Sequence, residues 1–316
     1  MHGRPPLRLL LLCGVAASAL LLSQAQASSE ELPALQPVPS FYSAWVQGYG
    51  FWQKDGGFGP FIPVFGPLAD MPGLGGAVGL EVRPLSLSPW TFGVNLQIGG
   101  TRRKKQTFST SSVVPPSSTP VTATLTQSRK AEHLILDFMV GRDMGLGLSR
   151  TGEPLLQLQA GLRYARLKEN ERIDLGYATS GAAFAREFVN FDRGFSGIGP
   201  RLAMVGSYPL TGAISLEGQV GVAFLYGRST LKISTGGTIS GSPVPFGTGF
   251  SEHRNGWVPS IDASLGVSYT FNPHARVTLG YKAQAFYNAF KTQTLSPNED
   301  TDFIFHGPFV EGRLAF

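Results

Sequence analysis

Nine ionisable residues fall on the polar face of alternating segments: Glu81, Asp137, Arg163, Arg201, Glu217, Asp262, Lys282, Glu311 and Arg313. Their signs nearly balance, and two kinds of chemistry suit such a set. As ion pairs they fill a narrow interior. As a charged constriction they select solutes, as side-chain rings do in channels. Asp137 with Arg163, and Asp262 with Lys282, are expected on adjacent strands, within the diagonal reach of long side chains across a sheet.

Other candidates are weaker. His133 and Asp137 share a face but stand four residues apart, about 13 Å in an extended strand, too far for an acid–base pair. None of His133, His253, His274 and His306 has a local partner at metal-ligand spacing. The glycine-rich run Gly73–Gly79 begins a strand rather than joining a strand to a helix, so it lacks a phosphate cradle. No catalytic residue, metal ligand or cofactor is assigned. The basic run Thr101–Gln106 (TRRKKQ) sits at the outer end of a strand. It suits either a solvated loop base or contact with anionic lipopolysaccharide.

The nine charges need a scaffold of strands. Trp257–Phe271 puts Trp257, Ile261, Leu265, Val267, Tyr269 and Phe271 on one face and Ser260, Asp262, Ser264, Ser268 and Thr270 on the other. The same period of two runs through 277–287, 214–226, 156–164 and 90–98, and less cleanly through 44–52, 74–82, 134–140 and 198–208. With the last strand these make ten, and a further hairpin inside 53–73 or 100–130 would make twelve. Short connectors (84–89, 145–154, 209–213, 272–275) alternate with long ones (53–73, 100–130, 170–194, 232–256, 292–301). An even strand count with alternating short and long connections predicts an all-β, antiparallel, up-and-down transmembrane barrel with both chain ends on the short-turn, periplasmic side.

Composition agrees. Charged residues are 15% of the chain, and Gly is abundant at 40 residues. The polar faces hold Gly, Ser, Gln and Asn rather than the Lys and Glu of a solvated exterior. Aromatics gather near strand ends: Trp90, Tyr208, Tyr269, Phe271 and Phe316 at one end, Tyr226, Trp257 and Tyr287 at the other, as interfacial girdles do. Arg4, Arg8, an apolar run from Leu9 to Leu22 and Ala25-Gln26-Ala27 read as a signal peptide over 1–27. A periplasmic lead segment over 28–43 and the barrel over 44–316 follow. Cys13 is the sole cysteine, so the exported chain uses no disulfide or thiolate metal site. Taking Arg4 and Arg8 from the 26 basic residues leaves 24 against 21 acidic, a net charge of +3. That is too small to argue for nucleic acid.

The final strand, GPFVEGRLAF, sets Val310, Leu314 and Phe316 toward lipid and Glu311 and Arg313 inward. An alternating strand closed by phenylalanine is expected to serve as an assembly signal for the outer-membrane assembly machinery. GFSGIGPRLAM (194–204), LEGQVGVAFLYGRS (216–229), VTLGYKAQAFYNAF (277–290) and this ending resemble the pore-forming outer-membrane family typified by the Legionella major outer membrane protein. The resemblance implies an outer-membrane pore without catalytic residues. Together these readings give a narrow, passive pore for small hydrophilic solutes, surrounded by outer-membrane lipid and lipopolysaccharide, with homo-oligomerisation open. The alternatives are a filled barrel acting through its surface loops and, third, an outer-membrane hydrolase.

Overall fold

The computed structural model describes residues 41–54, 70–84, 89–113, 120–144, 155–179, 182–240, 242–244, 249–272, 274–290 and 302–316. The expected signal peptide, the lead segment up to residue 40, and most of the 53–73 and 292–301 connections lie outside them. Among the described residues no helix is long and apolar enough to cross a membrane.

Each alternating segment becomes a strand: β1 (Phe41–Gln53), β2 (Met71–Arg83), β3 (Trp90–Thr101), β4 (Lys104–Val113), β5 (Pro120–Asp143), β6 (Leu155–Thr179), β7 (Ala182–Pro209), β8 (Ile214–Ile239), β9 (Ser242–Val244), β10 (Phe250–Asn272), β11 (Ala275–Phe286) and β12 (Phe303–Ala315). Neighbours are antiparallel. β1 pairs with both β2 and β12, and β8 pairs with β10, so the sheet closes on itself. β3 and β4 pair with successive stretches of β5, Gly100 opposite Glu132 and Lys104 opposite Arg129, and form one stave. β9 is a short arm on the end of β8. Among the described residues the wall therefore has ten staves. Closure satisfies every strand edge within the ring, the condition for spanning hydrocarbon with strands.

Three of the five expected long loops are instead strand. Residues 100–130 contain β4 and the first part of β5. The expected 170–194 loop is the paired ends of β6 and β7, which continue to Thr179 and Ala182. The 232–256 stretch holds the ends of β8 and β10 with β9 between them. The reason is physical. Past the lipid level both faces of these strands meet water or polar side chains, so the period of two disappears while backbone pairing goes on. β1 likewise starts at Phe41 rather than Ala44.

The apolar face is the outer surface. On β10, Trp257, Ile261, Leu265, Val267, Tyr269 and Phe271 are exposed while Ser260 and Ser268 are buried. From Trp257 to Tyr269 the strand runs about 40 Å at ~3.3 Å per residue. Tilted by roughly 45°, that spans about 28 Å, close to the apolar band of a membrane barrel. Aromatics mark both limits: Tyr226 packs on Trp257 at 5.2 Å and Tyr269 on Phe271 at 4.9 Å. The last residue is fixed rather than frayed. Phe316 and Tyr42 exchange backbone hydrogen bonds of 2.8 and 2.9 Å, with the Phe316 ring exposed on the outer face.

Closing a small ring brings backbones close. A Cβ on Gly199 would overlap the Phe224 carbonyl, and one on Gly161 the Phe138 carbonyl, whereas Gly48 faces open space. Gly199→Val is expected to block most refolding, and Gly48→Ala to leave it intact. The fraction of unheated protein that migrates as the compact band on a gel measures both.

Candidate functional site

The interior is built in layers. Near mid-height, Arg163 points inward on β6 because Leu162 and Tyr164 on either side point out. Its Nε and Nη2 donate to the two oxygens of Asp137 on β5, at 2.7 and 2.9 Å. Its Nη1 reaches Asp262 of β10 at 2.8 Å and Ser260 at 3.2 Å. β7 and β8 stand between β6 and β10 in the wall, so this arm crosses the lumen. From β7, Arg201 donates to Asp262 at 2.6 Å and lies 3.7 Å from Asp137. Two arginines and two aspartates thus close a four-membered ionic network. The Arg163 and Asp137 side chains are 3% and 2% exposed.

The opposite wall carries a second polar set. Lys282 of β11 donates to Gln47 of β1 at 2.8 Å and to Gln97 of β3 at 3.2 Å, and its ammonium lies 3.9 Å from the Tyr49 ring centre. Gln47 also bonds Glu311 at 3.2 Å, and Gln97 bonds Gln284 at 3.4 Å. The expected pairing of Asp262 with Lys282 gives way to this arrangement. Register sets Asp262 opposite Gln284 and Lys282 opposite Ser264, and Asp262 is taken by the two arginines.

Toward the short-turn end, Arg276 meets Glu217 at 2.5 Å, and Arg313 meets Glu311 at 3.0 Å and Glu81 at 3.8 Å. These side chains are 11–26% exposed, against 2–14% in the Arg163 network. Arg83 and Asp143 form a further ion pair at 2.7 Å. Arg276 and Arg83 escape sequence reasoning because the alternation it used began at Val277 and ended at Val82.

Toward the long-loop end the polar lining stops at an apolar layer. Phe51, Phe195, Leu225, Phe286, Phe303 and Phe305 fill the lumen, the last three at 0% exposure. His133 belongs to this layer. It stacks on Phe305 with centroids 4.3 Å apart, and its Nε2 is 2.8 Å from the Tyr49 hydroxyl. Sequence reasoning misses the layer because β1 is apolar on both faces here, with Tyr49 and Phe51 inside and Trp52 outside.

Beyond the girdle, the stave ends that replace the expected loops enclose another buried cluster. Glu169 accepts from Arg129 at 2.6 Å and Arg193 at 3.1 Å, while Glu171 meets Arg193 at 3.4 Å and Gln127 at 2.5 Å. Burial works to raise the Glu169 carboxyl, but the Arg129 and Arg193 guanidiniums outweigh it and hold the group below its ordinary range. At Glu171 burial wins over the same arginines and the carboxyl is raised. On acidification Glu171 therefore takes up a proton before Glu169. Among the described residues no three His, Cys, Asp or Glu side chains gather as metal ligands.

A family model described as the Legionella pneumophila major outer membrane protein precursor matches residues 93–316. No curated protein sequence matches the chain. Similar solved structures include the outer membrane protease OmpT of Escherichia coli, at 13% identity over 92% of this chain and 100% of that one, TM-score 0.43. A major outer membrane protein of Thermus thermophilus matches at 14% identity over 88% and 100%, TM-score 0.32. The toluene transporter TbuX of Ralstonia pickettii matches at 9% identity over 88% and 89%, TM-score 0.25.

Proposed function

From the premise that the chain belongs to the Legionella major outer membrane protein family, and so is an outer-membrane β-barrel, we propose that it is a non-enzymatic, porin-like barrel whose lumen is shut at rest. Small hydrophilic solutes pass when the aromatic layer rearranges. The observation that carries this reading is the lining. Polar side chains follow the inner wall from Glu217 and Arg313 at the short-turn end through the Arg163 network to Glu169 at the other, interrupted by the layer around Phe305. A hydrophobic constriction of that kind gates a pore by dewetting. Among the described residues, Ser43 Oγ and Asn95 Oδ1, buried on the inner wall, have no hydrogen-bond partner. Buried polar groups of this kind take water. The surroundings of His133, an aromatic stack rather than a carboxylate, support the non-enzymatic reading.

A filled, non-conducting barrel is the second reading, favoured by the ionic contacts that bridge the lumen. Ten staves lie near the size at which side chains fill a barrel. Single-channel recording separates the two. The refolded protein is expected to give infrequent small steps, and Lys282→Gln, which removes a lumen cation, to shift those steps toward cation preference. Silence from protein shown to be inserted, in the native chain and in Phe305→Ala alike, would establish the filled barrel.

A further inference from the structure

Just past the long-loop girdle, the outer surface carries a row of exposed cations. Tyr164, Ile198 and Tyr226 stand side by side on β6, β7 and β8, facing outward. Two residues farther out, the same staves present Arg166, Ser196 and Arg228 in one row, all exposed. Ser196 is in register with both arginines, so their Cα atoms lie two strand spacings apart, about 10 Å. Both guanidiniums can reach a group resting over Ser196, whose hydroxyl lies 3.0 Å from the Tyr164 hydroxyl.

The neighbouring carboxylates have closer partners, and Arg166 and Lys168 act on Glu132 by charge alone. Glu132 on β5 is held by Lys130 at 2.5 Å. Asp192 is held by Asn170 and Asn190. Lys168 adds a further exposed cation on the same face of β6.

We propose that Arg166, Ser196 and Arg228 form a binding site for the phosphate of an anionic lipid in the outer leaflet. The inference rests on the outer-membrane reading and is independent of whether the lumen conducts. Three features select this occupant. Arginine forks match phosphate oxygens geometrically, which lysine does not. The row lies directly beyond outward-facing aromatics, at the depth of headgroups. The tyrosines beneath it offer an apolar seat for the lipid's chains, which a free anion does not need.

The test is titration of the refolded protein in detergent, followed by native mass spectrometry, with a bis-phosphorylated glycolipid, its dephosphorylated form and inorganic phosphate. The phosphorylated lipid is expected to bind at least about ten-fold more tightly than the dephosphorylated one, the scale of one charge-assisted contact. R166Q/R228Q is expected to lose that preference. Lys54→Gln, at the end of β1 four staves away, is expected to keep it. Arg166→Lys with Arg228→Lys retains charge but not the fork and is expected to fall between. Equal binding of both lipids, an unchanged preference in R166Q/R228Q, or saturation by inorganic phosphate alone would overturn the proposal. Unheated gel mobility establishes that each variant is folded, and conductance is expected to be the same in all of them.

Discussion

Arg163→Ala is expected to destabilise the folded barrel by about 3–5 kcal/mol, the scale for breaking a buried ion pair from one side. The guanidinium donates to Asp137, Asp262 and Ser260. Among the described residues, its loss leaves Asp137 with the longer contact to Arg201, and Asp262 with one arginine instead of two. Uncompensated buried charge is the costly outcome, more than the loss of contact. The double variant Arg163→Met with Asp137→Leu removes charge of both signs and is expected to cost less than the single one. Urea unfolding in lipid vesicles, followed by tryptophan fluorescence, reads both midpoints. If the double variant proves the less stable, the network stabilises by attraction, and desolvation is not the controlling term.

The ring itself was legible because lipid imposes a rule. Where one face meets hydrocarbon, as from Leu216 to Tyr226 or from Trp257 to Phe271, apolar and polar residues must alternate, and the strands can be read directly. The rule fails in three places, each for its own reason. Past the girdle water replaces lipid, so the ends of β6, β7 and β8 carry mixed residues and read as loops; the Glu169 and Arg193 cluster went unseen with them. Inside the long-loop half the lumen is itself apolar, so Tyr49 and Phe51 blur the alternation of β1. Partner choice across the lumen depends on which wall faces which. That follows from ring closure and register, and it sends Lys282 to Gln47 and Gln97 rather than to Asp262. Parity does signal part of what was missed. Arg129, His133 and Asp137 share one face of β5, and Arg163, Leu167, Glu169 and Glu171 share one face of β6, so extending the lumen face outward would have reached the cluster.

Phe305→Ala is expected to turn infrequent conductance into frequent, larger steps. The ring is fully buried at the centre of the apolar layer, with centroids 4.3 Å from His133, 5.5 Å from Phe51 and 6.1 Å from Phe303. Truncating it opens space beside the Tyr49 and His133 pair, whose polar atoms offer hydrogen bonds to entering water. Dry gates depend steeply on radius and polarity, so one ring suffices to wet the constriction. The same truncation costs roughly 3–5 kcal/mol of packing, so folding must be established alongside conductance. Phe224→Ala is the matched control, since it removes the same ring from the lipid-facing wall and is expected to leave conductance unchanged. Open channels in Phe305→Ala alone would locate the gate in the aromatic layer. A folded, inserted and silent Phe305→Ala would move the block to the Arg163 and Arg201 network beneath it. Paired with silence from the native chain, that result would make the barrel a filled one whose activity lies outside its lumen.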